Sequence, residues 1–518
     1  MALHHPQSTT TNTNVTSPTK LYSDNTTATT KPPFSPSLQY CDFLLRLTKA
    51  ALTFLFLLTI SLLAFSSFSS TTTSATTRFF PLSITSSSPS SSASLCRANF
   101  SGPTPSQTRP DHILFSLSGS AATWPDRRRY SHLWWSPSNL TRGFVWLDRP
   151  PSPTTGPSTG PSYRVSSGHR AENEKSSDRI ARILKDSFEM NLPEVRWFVM
   201  GDDDTVFFPA NLAVVLGNYD HRRMYYVGGN SESVEQDVMH GYSTAFGGGG
   251  FAVSYSLACE LVSILEGCIK RYHNYYGSDE KVSACVGELG VPLTRELGFH
   301  QLDIRGDPYG LLAAHPVAPL VSLHHLDAVK PLFPGQSQVD SLEKLMQSYH
   351  VDPGLTLQQS ICYDHKRKWS VSIAWGYTAQ LYPSLISSRV LSTPLQTFRT
   401  WRSHSYGPFV FNTRPFKDDP CERPIIYYLD KVQDVGGGKT VSVYKRVDTA
   451  DAGGKCKQLT YKYAMLVEKI TVTATKTSPD MWLKAPRRQC CEITNSWTLT
   501  SNLRVMVRSC KPREAMSI

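Results

Sequence analysis

The sequence predicts an α/β protein with a mostly parallel sheet, followed by a smaller β-rich domain and preceded by one transmembrane helix. Three observations carry that prediction. Between Asp111 and Asp327, short apolar runs alternate with amphipathic helical patterns, as in strands joined by crossover helices. Beyond about residue 355 the pattern becomes an aromatic-rich alternation, as in Trp369-Ser-Val-Ser-Ile-Ala-Trp375, which suits antiparallel strands. From Ala50 to Phe68 no charge interrupts an apolar segment. Its length is close to the roughly 20 residues that cross a bilayer.

These patterns divide the chain into a polar tail over residues 1–42, a signal-anchor over 43–68, a Ser/Thr/Pro-rich stem over 69–108, an α/β domain over 109–350 and a β-rich domain over 351–518. The tail is expected to be disordered, because Ser, Thr, Asn and Pro bury too little apolar surface to offset the entropy of ordering. Arg46 and Lys49 precede the apolar segment, and the next charge is Arg78. The positive-inside rule then puts the tail in the cytosol and the remainder in the lumen, and the short span suits a thin early-secretory membrane. Asn99-Phe-Ser and Asn139-Leu-Thr are glycosylation acceptor sites on that side.

Composition removes other classes. The net charge of +11 comes from scattered basic residues, with only Arg127-Arg128-Arg129 and Lys366-Arg367-Lys368 as clusters, and no nucleic-acid-binding motif accompanies them. The 11 cysteines show no repeated C-x-x-C spacing, so a structural zinc site is not indicated. On a lumenal side, disulfides among some of them are expected instead, and the neighbours Cys490 and Cys491 cannot easily pair with each other and are expected to have separate fates.

Taken in order, the first strand of the α/β domain is His112-Ile-Leu-Phe-Ser-Leu-Ser118. Residues 127–135 form a helix with Tyr130, Leu133 and Trp134 on its apolar face, and Gly143–Asp148 is a second strand. A Pro/Gly/Ser loop covers about 149–168, and Ser177 caps a helix carrying Ile180, Ile183, Leu184 and Phe188. Then comes the stretch around which the domain is organised. The buried strand Trp197–Gly201 runs straight into Asp202, Asp203 and Asp204. Three adjacent carboxylates repel one another unless a cation or hydrogen-bond donors compensate. At the carboxyl end of a strand, where open sheets bind ligands, hard oxygen ligands point to Mg²⁺ or Mn²⁺ shared with phosphate oxygens.

Asn211–Leu216 is read as a helix and Met224–Gly228 as a strand. Gly247, Gly248, Gly249 and Gly250 follow, feeding a helix with Leu257, Leu261, Ile264, Leu265 and Cys268 on one face. Such a run lets backbone approach a ligand closely and offers N–H groups to anions; no Gly-Lys-Ser/Thr follows, so it is not a P-loop. Asp279 and Glu280 precede the next helix, where a carboxylate is also a good cap. Asp303 and Asp307 flank Arg305 in what reads as a salt-bridged loop, and the strand Pro319–Asp327 ends in His324 and His325, an imidazole pair of metal-ligand type.

Together, Phe198-Val-Met-Gly-Asp-Asp-Asp-Thr-Val-Phe207, Phe246-Gly-Gly-Gly-Gly-Phe251, Ser278-Asp-Glu-Lys-Val282 and Leu323-His-His-Leu-Asp327, behind a signal-anchor and stem, resemble the Fringe-like family of β-1,3-glycosyltransferases, over about residues 110–335. The resemblance is strongest to its plant group, formerly a domain of unknown function. It implies a GT-A fold, a UDP-sugar donor, a glycan or glycoconjugate acceptor, Mn²⁺ (or Mg²⁺) and Golgi residence as a single-pass type II membrane protein. It further implies that Asp204 ligates the metal with His324 or His325, that Asp202 and Asp203 contact the donor, and that Asp279, with Glu280 beside it, supplies the base. Gly248 and Gly249, within the glycine run, would line the donor wall. Relatives elsewhere in the family carry Gly-Gly-Ala-Gly and Asp-Asp where this chain has four glycines and Asp279-Glu280.

The chemistry is coherent in its own terms. A bound divalent ion neutralises a departing diphosphate, and one carboxylate base without a second nucleophile predicts inversion. The alternative from a different class is a non-catalytic sugar-binding or scaffold protein on the same fold. A two-metal phosphohydrolase ranks last, for want of a second ligand cluster. The C-terminal domain is open to acceptor selection, homodimerisation or simple stability.

Overall fold

The computed structural model describes residues 47–61, 107–136, 141–151, 160–166, 176–402, 411–447, 456–483, 485–495 and 501–517. The polar tail, nearly all of the stem and the asparagines of both glycosylation sites lie outside these residues. The chain divides into two compact units, residues 1–86 and 87–518. In the first, residues 47–61 form a helix whose leucines and phenylalanines are exposed, among them Leu52, Phe54, Leu55 and Phe56. At 1.5 Å per residue this stretch reaches about 22 Å, short of the roughly 30 Å hydrocarbon core of a bilayer. No helix among the described residues is long and apolar enough to cross a membrane. The rest of the predicted span, 43–46 and 62–68, lies outside the described residues.

The second unit is built on a seven-stranded sheet of order β3-β2-β1-β4-β7-β6-β8. Its strands are β1 (Ile113–Ser118), β2 (Arg142–Leu147), β3 (Ser162–Val165), β4 (Trp197–Asp202), β6 (Tyr226–Gly228), β7 (Phe251–Ser254) and β8 (Leu293–Arg295), with β5 (Val206–Phe207) set apart. Pairings β1–β2, β1–β4, β2–β3 and β6–β8 are parallel; only β7 runs against its neighbours. The mostly parallel sheet is therefore as expected, but β3 emerges from the stretch read as a loop.

The period of two in β4 explains its burial on both faces. Trp197 and Val199 enter one core with the helix Trp124–Trp134, whereas Phe198 and Met200 enter another with the helices Arg179–Glu189, Tyr255–Arg271 and Ser278–Glu288. Successive strand side chains point to opposite faces, so a strand buried on both sides reads as a continuous apolar run. The chain leaves β1 toward β2 on one side and returns to β4 on the other. The cleft outside the carboxyl ends of β1 and β4 is thus a topological switch point.

A small sheet brings the histidines to that cleft. In it β11 (Ser322–Leu323) lies between β9 (Phe299–His300), to which it is parallel, and β5, to which it is antiparallel, with Leu323 opposite Val206. The predicted strand over Pro319–Asp327 is thus only two residues long.

The later residues form an eight-stranded sheet running from β12 (Gln359–Asp364) to β21 (Cys490–Ile493) at its edges. One hydrophobic core is continuous from Phe115 and Trp134 through Leu345 and Tyr377 to Val472 and Val505, so the β-rich part packs directly on the α/β part. Disulfides Cys268–Cys285, Cys362–Cys491, Cys421–Cys456 and Cys490–Cys510 cross-link the unit, and the neighbours Cys490 and Cys491 have separate partners.

Candidate active site

Asp202 is the last residue of β4 and lies opposite Ser118 at the end of β1. The chain then turns sharply: Thr205 N–H donates to the Asp202 carbonyl and Asp203 N–H to the Ser118 carbonyl at 2.8 Å. Thr205 Oγ1 accepts from Asp202 N–H and donates to the Gly248 carbonyl at 2.7 Å, which ties the acidic turn to the glycine loop. The three carboxylates therefore diverge.

Asp203 turns inward. Its Oδ1 accepts from Arg127 at 2.9 Å and its Oδ2 from Thr123 at 3.3 Å. Arg127 also reaches Asp204 Oδ2 at 3.2 Å. The basic triplet of the sequence thus contributes one guanidinium that offsets the repulsion within the acidic one, a pairing of residues more than seventy positions apart.

Asp202 and Asp204 face His324. The imidazole Nε2 stands 3.2 Å from Asp204 Oδ1 and 3.7 Å from Asp202 Oδ2. His324 and Asp204 are buried, whereas Asp202 keeps 33% of its side chain accessible. Burial pushes the His324 imidazole down, but the carboxylates of Asp204 and Asp202 more than offset it and raise the pKa to about 9. Burial pushes Asp204 up, and His324 and Arg127 reverse this and hold it well below the usual carboxylate range. Burial, with the neighbouring acids, raises Asp202 to about 7 despite the opposing pull of His324.

One atom each from Asp202, Asp204 and His324 lie within 4.8 Å of one another. Asp204 Oδ1, apart from its ion pair with His324 Nε2, and His324 Nδ1 are buried without a hydrogen-bond partner. A buried carboxylate oxygen is seldom left without one, and two carboxylates plus an imidazole form a donor set suited to a divalent ion. The residues present fit such a group.

His325 is placed differently. Its backbone is left-handed (φ 50°, ψ 30°), and its Nδ1 lies 3.0 Å from Asp303 Oδ1. It is not among the three converging groups. Asp303 also accepts from Ser231 at 2.8 Å, while Arg305 donates to the Trp401 carbonyl at 2.8 Å. The predicted salt-bridged loop around Arg305 is thus not formed. Asp303 and Arg305 bracket Ile304, the first residue of strand β10 (Ile304–Gly306), and they serve different neighbours.

The glycine loop connects this cluster to Asp279. Gly247 N–H donates to Asp279 Oδ2 at 3.0 Å, and a β-carbon on Gly248 would meet the His324 ring at 2.0 Å. Gly249 N–H donates to Gln301, and the Gly249 carbonyl accepts from Ser322. Asp279 and Glu280 lie in the first turn of the helix Ser278–Glu288 and not before it. Glu280 accepts from Gly277 N–H at 3.1 Å and pairs with His240 Nδ1, so both its oxygens are engaged. Burial raises the Asp279 pKa, against the lowering effect of the Gly247 and Glu280 amides. Asp279 in turn raises Asp202, so the two carboxylates act on each other across the cleft.

Fold and site together define an open α/β protein whose strand-end cleft holds a carboxylate–imidazole cluster and, across a glycine wall, a separate acid. Residues 157–306 match the Fringe-like family, and residues 236–491 match the family described as a protein of unknown function, DUF604. Over the matched stretch the chain is thus similar to the Fringe-like family of β-1,3-glycosyltransferases. A mouse (Mus musculus) protein named beta-1,3-glucosyltransferase is 32% identical over 152 residues, which is 29% of this chain and 29% of that protein. The similarity therefore spans under a third of that relative's length.

Proposed function

We propose that the protein is a divalent-metal-dependent, inverting glycosyltransferase that moves a hexose or N-acetylhexosamine from a UDP-sugar to a hydroxyl of a glycan or glycoconjugate, in β-1,3 linkage. The observation that carries this reading is the convergence of Asp202, Asp204 and His324 on one side of the glycine loop with Asp279 on the other. Asp204 and His324 would hold Mn²⁺ or Mg²⁺, and Asp202 would contribute from the solvent side. The metal supplies neutralisation of the diphosphate leaving group. Asp203, held by Arg127, shapes the turn that presents its neighbours. Asp279 accepts the proton of the acceptor hydroxyl as that oxygen attacks the anomeric carbon. Its raised pKa brings it nearer neutrality, where a general base works best. Glu280, engaged by His240 and Gly277, serves to hold Asp279 in place.

Disulfides persist in oxidising compartments, and the four pairs support a lumenal catalytic part. With the charge-free apolar segment after Lys49, this favours a type II anchor in the Golgi membrane. UDP-glucose is the first donor to test, given the name of the mouse relative. The experiment is UDP release by the purified protein with Mn²⁺ and each common UDP-sugar. Release with one donor, lost in Asp204→Ala and Asp279→Ala, supports the reading. Metal-dependent UDP binding without turnover of any donor would favour a sugar-binding protein instead. Absence of UDP binding with metal would overturn both.

A further inference from the structure

Metal-ligating histidines ordinarily have their second ring nitrogen held by a hydrogen bond that fixes the ring. His324 lacks one: its Nδ1 is buried and makes no hydrogen bond. Apart from the Nε2 contact with Asp204, the orientation of its ring therefore rests on packing. One side is closed by Gly248, whose backbone leaves no room for a β-carbon. The other is closed by His325, with ring centroids 3.9 Å apart and planes inclined at 32°.

Consecutive strand residues point to opposite faces, so two neighbouring histidines do not stack unless the backbone turns. Here it turns at His325, which takes the left-handed conformation. That region is disfavoured for a residue with a β-carbon and persists only where surrounding contacts impose it. Asp303 Oδ1, 3.0 Å from Nδ1, is one such contact. The larger one is Trp401, whose ring lies flat on His325 at 4.3 Å with an interplanar angle of 11°.

Trp401 comes from the β-rich part of the chain, and it is held firmly. It follows strand β16 (Phe398–Thr400), which pairs antiparallel with β10, Ile304 opposite Thr400. The Arg305 side chain donates to its carbonyl at 2.8 Å, with the guanidinium carbon 4.5 Å from the ring centre. A three-ring stack thus runs from Trp401 through His325 to His324 and ends at Asp204.

We propose that Trp401 is a positioning residue: through His325 it holds the His324 ring toward Asp202 and Asp204, so that the β-rich region completes the metal site. This rests on the metal-dependent reading above. It gives that region a role in the site itself, one that no motif within it discloses.

The test compares the full chain with Trp401→Ala and Trp401→Phe. Mn²⁺ affinity is followed by the paramagnetic resonance of free Mn²⁺, and thermal unfolding is followed without metal. Loss of a ring-orienting contact is expected to weaken Mn²⁺ binding in Trp401→Ala by roughly 10-fold to 100-fold, with most of it restored in Trp401→Phe. Binding by Trp401→Ala within about 2-fold of the parent would overturn the proposal. If the alanine variant does not fold, Trp401→Leu, which keeps apolar bulk but no flat ring, is held to the same two outcomes. A crystal structure of the alanine or leucine variant decides the matter independently of metal. His324 rotated away from Asp204 supports the proposal, and Nε2 still at 3.2 Å from Oδ1 overturns it. If the parent protein binds no Mn²⁺, the functional reading fails, and the crystal structure alone judges the stack.

Discussion

A β-carbon placed on Gly248 would stand 2.0 Å from Cε1 and 2.3 Å from Nδ1 of His324. The glycine loop and the imidazole therefore occupy one another's only available space. Gly248→Ala is expected to push the ring off Asp204, destabilise the protein by about 1–3 kcal/mol through overpacking, and abolish metal-dependent UDP binding. Gly287, in the helix Ser278–Glu288, is the control, since a β-carbon there meets nothing within 4 Å. Gly287→Ala should raise stability by about 0.4–1 kcal/mol and leave UDP binding unchanged. Chemical denaturation and UDP calorimetry read both.

Asp203 and Asp204 are neighbours with separable tasks. Asp203→Ala removes the acceptor of Arg127 and Thr123, and is expected to lower stability by about 1–3 kcal/mol. Asp204→Asn keeps the size of the side chain but takes charge from the oxygen that faces His324. It should abolish Mn²⁺-dependent UDP binding while the chain stays folded. Unfolding curves beside calorimetric titrations distinguish the two; equal loss of UDP binding with no stability difference would contradict this division.

Asp279→Asn retains an oxygen for the Gly247 amide but cannot take a proton. The turnover number is expected to fall roughly 10²-fold to 10⁴-fold with little change in the KM for donor. Glu280→Gln should mainly reduce stability, through the His240 contact, with a smaller effect on turnover. Because burial raises the Asp279 pKa, turnover should fall as the pH is lowered through that raised value.

The metal-free site carries its own pH signature. His324 is raised from 6.5 to about 9, so its contribution to stability is complete below pH 6.5 and is lost as the pH climbs through about 9. Asp204 is depressed, so its contribution is complete above its ordinary 3.8 and is lost as the pH falls below that. The melting temperature of the metal-free protein should thus decline between pH 6.5 and 9. His324→Asn should flatten that decline. Mn²⁺ competes with the proton on His324, so the stabilisation conferred by saturating Mn²⁺ should grow over the same interval. A flat metal-free profile in the parent would count against the His324–Asp204 pairing.

Local patterns made much of this legible. The buried β4, the acidic turn, the glycine run, and the helices carrying Ile183 and Leu261 are all periodic or compositional features of single segments. Each lay within a residue or a few of where it was expected. What escaped was long-range. Arg127 read only as part of a basic cluster opening a helix, because nothing near it in the chain shows that it reaches Asp203 and Asp204. Asp303 and Arg305 read as a local pair, because sequence proximity favours that guess, while Asp303 just before strand β10 turns to His325 and Arg305 within it turns to Trp401. Strand β3 was hidden in a Pro/Gly/Ser stretch whose composition suits a loop.

The sequence by itself determined the longer strands and helices of the α/β domain, since hydrophobic period and turn chemistry act over a few residues. It also determined the residue types able to bind a divalent ion and take up a proton, and with them the family resemblance. Only the tertiary structure decided which of those side chains converge. His324 joins Asp202 and Asp204 because β11 pairs with β5 in one register, and His325 is turned aside by a left-handed backbone under Trp401. Register and stacking are set by contacts between segments far apart in the chain, and no local pattern carries that information.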